Sequence, residues 1–143
     1  MFPGTKVHKM ASPSEWVPQP TDRHIIVADE DKAAVAFIVQ TLRADGHVVF
    51  HAYDVLSAVQ LAMQLPSVDL VISNTKVEGI DGVGLILKLR KYKPDVPIIY
   101  LANTGRSTPE IEAFLPPNVP IIREPFTTER LREAVGTMLN GKR

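Results

Sequence analysis

From His24 onward the chain alternates short apolar runs with stretches in which apolar residues return every third or fourth position. Ile25, Ile26, Val27 and Ala28 predict a first strand, ended by Asp29-Glu30-Asp31. Val35, Ile38, Val39 and Leu42 recur at i, i+3, i+4 and i+7, an amphipathic helix closed near Gly46. His47 to Ala52 predicts a second strand. Val55, Ala58, Val59, Ala62 and Met63 predict the inward stripe of a second helix, stopped by Pro66. Val68 to Ser73 is an apolar run rich in aliphatic and β-branched residues, as suits a strand buried on both faces, and leaves Asn74 as the first residue past its end.

Gly79-Ile80-Asp81-Gly82 then gives a turn and a helix start. In the third helix Val83, Ile86 and Leu87 face inward, with Leu85 and Leu89 widening the stripe. Pro97 to Leu101 predicts a fourth strand, where a proline fits only at the start. Ser107-Thr108-Pro109-Glu110 opens a fourth helix that Pro116-Pro117 cuts short. Val119 to Ile122 is the last strand. Thr127 caps a fifth helix with a stripe of Leu131, Ala134, Val135, Met138 and Leu139.

Five strands alternating with five helices predict an α/β fold, a parallel sheet covered on both faces. Right-handed crossovers and short loops favour the flavodoxin-like strand order 2-1-3-4-5. The first 22 residues break the pattern. Pro3, Pro13, Pro18 and Pro20 punctuate a segment with no apolar period, which predicts a flexible arm ahead of a domain spanning 23–143. Trp16 is the arm's large apolar group and a candidate partner anchor, because tryptophan is enriched at interfaces.

Composition narrows the function without naming it. Sixteen basic and sixteen acidic residues cancel, so no net field draws nucleic acid or an anionic membrane. There is no cysteine, which removes disulfides, thiol nucleophiles and thiolate metal sites. No apolar run approaches the roughly 20 residues that span a bilayer. Met1 to Met10 has Lys6 and Lys9 but no apolar core behind them, so it is not a secretory signal. The expectation is a cytoplasmic protein.

In open parallel sheets the chemistry sits beyond the carboxyl ends of the strands. Here those ends bring Asp29 and Glu30, Asn74, Ala102 and Asn103, and Glu124 to one address. Two adjacent acids suit a hard cation such as Mg²⁺. They equally suit a helix start, where carboxylates complement the dipole. No glycine-rich phosphate loop follows the first strand, which argues against a flavin or nucleotide binder.

Four blocks in order, IIVADEDKAAVAFIVQTL, DLVISNTKVEGIDGVGLI, PIIYLAN and REPF, resemble the receiver domain of two-component response regulators. The resemblance runs from about His24 to the carboxyl terminus. It implies a phosphorelay switch in which a sensor kinase loads phosphate onto an aspartate beside Mg²⁺. A Ser or Thr and a Lys then read that phosphate and reshape the face made by the fourth helix, fifth strand and fifth helix. Asp29 and Glu30 match the family's acidic pair. By the same resemblance Asn74 and the backbone carbonyl of Lys76 complete the family's metal ligands, and the Glu124-Pro125 bond is cis.

At three positions of the pocket the chain departs from that pattern. Asn74 stands where the phosphoacceptor Asp belongs, Ala102 where the Ser or Thr belongs, and Glu124 where the Lys belongs. Ile121 replaces a frequent Tyr or Phe switch ring, and Glu78 a frequent Pro. A neutral amide is a poor nucleophile toward phosphorus. Ala102 has no hydroxyl to offer a phosphoryl oxygen. Glu124 puts a negative charge where the family uses a cation.

Ser73 and Thr75 flank Asn74, but strand alternation turns them from the pocket, and Asp81 reads as a helix cap. Two arrangements then fit the pocket. Either Mg²⁺ remains, held by Asp29, Glu30, Asn74 and Lys76, or the Asn74 amide donates to Glu124 and closes the site without metal.

The resulting expectation is a degenerate, stand-alone receiver domain, not an enzyme, that signals through protein contact without phosphorylation. Its partner would be a sensor kinase or another signalling protein, with a homodimer through the same face as one arrangement. The rival is a working phosphoacceptor that uses Mg²⁺ and a substitute residue.

Overall fold

The computed structural model describes residues 23–140; the amino-terminal arm, and Trp16 with it, lies outside the described residues. The elements are β1 (His24–Ala28), α1 (Lys32–Ala44), β2 (Val48–Ala52), α2 (Val55–Gln64), β3 (Leu70–Asn74), β4 (Lys76–Val77), β5 (Ile80–Asp81), α3 (Gly82–Tyr92), β6 (Ile98–Ala102), α4 (Pro109–Glu112), β7 (Ile121–Arg123) and α5 (Thr128–Asn140). The five-stranded sheet runs β2-β1-β3-β6-β7, with every pairing parallel. This is the expected 2-1-3-4-5 once the two-residue strands β4 and β5 are set aside. Those two form a small antiparallel hairpin between β3 and α3 that the apolar pattern does not announce.

The sheet separates two cores. On one side Val35, Ile38, Val39 and Leu42 of α1 and Leu131, Val135 and Leu139 of α5 pack on Ile25, Val27, Ile72 and Leu101. On the other, Ala58 and Ala62 of α2 and Val83, Leu85, Ile86 and Leu89 of α3 pack on Ile26, Val71, Ile98 and Tyr100. β3 and β6 are buried at every position, as central strands under helices on both faces must be. Capping fixes the helix starts. Asp31, Asp54 and Asp81 accept N–H bonds at α1, α2 and α3, Thr108 does so at α4, and the Thr127 hydroxyl accepts from Arg130 at α5. Gly46 takes φ +94° after α1, a conformation that side chains with a Cβ rarely adopt.

Some expectations shift. Asn74 is the last residue of β3, not the first beyond it, because its pairing with Leu101 extends the ladder. The last strand starts at Ile121, two residues later than expected, since Asn118 takes φ +68° and Pro120 has no N–H to give a ladder. Leu87 and Met63 point outward, 44% and 51% exposed. Small alanines hold α2 close to the sheet, and the stripe of α3 is centred on Val83, Ile86 and Leu89. Met138 is half-buried against the α5 side of the core. α4 is a single turn, continued only by tight Phe114-to-Ile111 and Leu115-to-Glu112 backbone bonds before the proline pair.

Candidate functional site

The carboxyl ends of β1, β3, β6 and β7 meet at one crevice, where the strand order reverses. Asn74 projects into it and is 4% exposed. Its Nδ2 donates to Glu124 Oε2 at 2.8 Å, and its Oδ1 accepts the Lys76 N–H at 3.4 Å. Glu124 is held from a second side, where Asn103 Nδ2 donates to Oε1 at 2.9 Å. The Thr104 hydroxyl donates to the Glu124 backbone carbonyl, and the Glu124 N–H reaches Ala102 O at 2.9 Å. The Glu124-Pro125 bond is cis. Two amide donors therefore converge on one carboxylate.

Asp29 lies beside this cluster, 2% exposed. Its Oδ1 accepts the Asp31 N–H at 3.0 Å, while Oδ2 is buried without a hydrogen-bond partner. Burial pushes its carboxyl up to about 6; the Asp31 N–H opposes this, and the Asp31, Glu124 and Glu30 charges add to it. Glu30, its neighbour, pairs with the Lys76 ammonium at 2.9 Å across the mouth of the crevice.

Mg²⁺ is commonly bound by receiver domains at this acidic site, so the donor set bears on it. Of the four expected donors, Asp29 has a free oxygen. Glu30 is neutralised by Lys76, the Lys76 carbonyl accepts the Glu30 N–H at 3.1 Å, and the Asn74 amide nitrogen faces Glu124. No three His, Cys, Asp or Glu side chains gather as a metal-holding group among the described residues. In this arrangement Asp29 Oδ2 is the carboxylate oxygen of the set left unpartnered, and the Asn74 Oδ1 holds only the 3.4 Å bond from Lys76.

The flanking hydroxyls are used inside the fold. Ser73 Oγ donates to Gly82 O at 3.1 Å, and Thr75 Oγ1 bonds Leu101 O at 2.9 Å and Tyr100 Oη at 3.1 Å. Asp81 Oδ1 accepts the Gly84 N–H at 2.7 Å, the capping role expected of it. Gly82 is pressed against the end of β3. Its N–H bonds Thr75 O at 2.8 Å, and a Cβ there would collide with the Asn74 carbonyl.

A chain of polar contacts leaves the crevice toward α4. The Thr75 hydroxyl also accepts the Asn103 N–H at 2.7 Å; Tyr100, fully buried, joins Thr75 to Ser107 Oγ at 2.8 Å. Ser107 reaches Glu112 Oε2 at 2.6 Å, and Arg123 of β7 clasps Glu112 with two bonds of 2.9 and 2.7 Å. Ile121 is half-buried against the α2–α3 side of the core, two strand residues before Arg123.

The sequence points to the Asn74–Glu124 pair because a donor and an acceptor occupy exchanged positions. It also brings Asn103 to the crevice but gives no sign of its bond to Glu124. The Lys76 ammonium and the Tyr100 link are missed altogether, since a lone lysine in a loop and a tyrosine in an apolar run carry no motif.

A doubly wound parallel sheet with an acidic crevice at its switch point defines a flavodoxin-like α/β protein. More narrowly, the chain belongs to the response regulator receiver domain family, whose pattern matches residues 25–136. Among curated relatives, the transcriptional regulatory protein GlrR of Escherichia coli K12 is 23% identical over 116 residues, 81% of this chain and 26% of that protein. Sensor kinase CckA of Brucella abortus is 28% identical over 118 residues, 80% of this chain and 12% of that protein. The chain thus spans about a quarter or less of the length of these relatives.

Among solved structures, the signal receiver domain of an HD domain-containing protein from Pseudomonas fluorescens Pf-5 matches with a TM-score of 0.77 at 22% identity, covering 84% of this chain and 96% of that one. A response regulator receiver protein from Sinorhizobium medicae matches at 0.76 and 23%, covering 85% and 98%. At these identities the likeness is one of fold. No helix among the described residues is long and apolar enough to cross a membrane.

Proposed function

We propose that this receiver domain is degenerate: it signals through contact with a protein partner and does not carry phosphate on residue 74. The observation behind this reading is the 2.8 Å bond from Asn74 Nδ2 to Glu124 Oε2. A phosphoacceptor needs an anionic oxygen facing the donor, with a cation behind it to take up charge. Here the position presents an N–H, and a carboxylate stands behind it. Ala102 supplies a methyl group where a hydroxyl would grip a phosphoryl oxygen. A substitute acceptor is disfavoured because Ser73 and Thr75 are bonded internally and Asp81 caps α3.

In this reading the module works in the cytoplasm, is not an enzyme, and offers a partner the surface of α4, β7 and α5. That partner would be a sensor kinase or another signalling protein, or a second copy of this chain. Arg123 and Glu112 tie α4 to β7 and so hold that surface in one form.

The test is incubation with acetyl phosphate and Mg²⁺, followed by intact-mass measurement. No labile phosphate is expected on the unaltered chain or on Asn74→Asp, because Ala102 and Glu124 still oppose it. Phosphate on the unaltered chain would overturn the reading. Phosphate on Asn74→Asp alone would mean that Ala102 and Glu124 do not prevent the transfer.

A further inference from the structure

The α2–α3 side carries an apolar groove that neither the crevice nor the α4–β7–α5 surface uses. Val55, Leu56, Val59 and Met63 of α2 line it with Tyr92 and Lys88 of α3, around about 700 Å³. Leu56, Met63 and Tyr92 are 67%, 51% and 50% exposed. Single exposed apolar residues are ordinary, but three large ones facing the same groove mark a surface that gains by being covered.

The path of the chain indicates the cover. The loop after α2 runs beside the start of β1, where Ser67 Oγ lies 3.5 Å from His24 Nδ1 and the His24 N–H bonds Asp69 Oδ2 at 2.8 Å. The arm therefore joins the domain next to the end of the groove that holds Met63. Between Trp16 and Arg23 an extended chain reaches roughly 23 Å. The stretch of α2 from Val55 to Met63 rises only about 12 Å. Pro18 and Pro20 restrict the arm toward extended backbone, and the reach leaves slack to spare.

We propose that the arm of this same chain docks in the α2–α3 groove, with Trp16 as the anchor against Leu56 and Met63. Charge is compatible with that occupant, because the arm carries Glu15, Lys9 and Lys6 while Lys88, Asp54 and Glu78 line the groove. The covalent link favours the arm over a second copy, because a short tether holds it at an effective concentration on the order of millimolar.

Trp16 is the only tryptophan in the sequence, so its fluorescence reports docking in the full chain. The expected result is blue-shifted emission and quenching by acrylamide several-fold weaker than that of N-acetyltryptophanamide, both unchanged on dilution. Leu56→Glu and Met63→Glu, both at exposed positions, should restore free-indole quenching without altering the far-ultraviolet circular dichroism. Phe114→Glu, exposed outside the groove, should leave the protection intact. Free-indole quenching in the unaltered chain, or protection that survives both groove variants, overturns the proposal. Protection lost on dilution does so too, and assigns the groove to a second copy.

Discussion

The crevice and the α4–β7 edge each hold a carboxylate, Asp29 and Glu112, and the two carboxylates have opposite fates. Asp29 is buried with one oxygen unpartnered, and its carboxyl is pushed up to about 6. Glu112 receives two bonds from Arg123 and one from Ser107, and these hold it down at about 2. Burial penalises the charged form of any carboxylate; donors and cations decide whether that penalty is answered. At the edge it is answered within the chain. In the crevice the amides of Asn74 and Asn103 go to Glu124, and that added acid raises the Asp29 carboxyl further. Among the described residues, the buried side-chain oxygen left without a partner is thus in the crevice.

The strongest way to break the comparison is to spoil the shape of the crevice while leaving the edge alone. Gly82→Ala forces a methyl group into the Asn74 carbonyl, where the obstacle is backbone and cannot swing aside. The expected cost is about 3 kcal/mol or more, the upper part of the range for overpacking a tight site. Urea unfolding measures it. A loss below about 1 kcal/mol would mean that β3 and α3 separate easily and that the crevice is not rigidly built.

Asp29→Asn sharpens the comparison by removing the unanswered charge. Folded Asp29 holds its proton more tightly than the unfolded chain does. Its contribution is therefore fully present below the ordinary 3.8 and is lost as pH rises through about 6. The displacement from 3.8 to about 6 corresponds to about 3 kcal/mol against the native state at neutral pH. The variant should be more stable than the unaltered chain at neutral pH, by an amount approaching that figure, with the gain mostly gone at pH near 3.8. Equal gains at both pH values would remove the charge argument. Stabilisation of the unaltered chain by millimolar Mg²⁺ would also contradict it, because a cation would then be reaching Oδ2.

How far such features can be read from the sequence depends on their range. Helix and strand periods are local, so the five strands of the parallel sheet, the Asp81 cap and the Thr127 cap are foreseeable, whereas the β4–β5 hairpin and the Asp54 cap are not. The Asn74–Glu124 bond joins residues 50 positions apart, yet it is legible because the receiver pattern fixes both places and the two groups are complementary. Tyr100 is not legible. In PIIYL it reads as one more core residue, and only the fold shows that its hydroxyl meets Thr75 and Ser107. Met63 and Leu87 fail for another reason. The helical period says that a face is apolar but not how wide a strip the sheet will cover, and alanines at 58 and 62 let the sheet take a narrow one.

The smallest expected effect lies at the satisfied end. Glu112→Gln keeps the shape of the side chain but removes the charge that Arg123 and Ser107 stabilise. Because the folded carboxyl is held below its ordinary 4.5, its contribution is present above that value and is lost as pH falls through about 2. Arg123 is 63% exposed, so solvent screens the pair and the loss at neutral pH should be about 1 kcal/mol, less in high salt. The same change made in an Arg123→Met background should cost less than it does alone, as a coupled pair requires. If the two losses simply add, the guanidinium is not what steadies Glu112. The edge would then owe its stability to Ser107 and the buried Tyr100 behind it, which would bring it closer to the crevice than the geometry suggests.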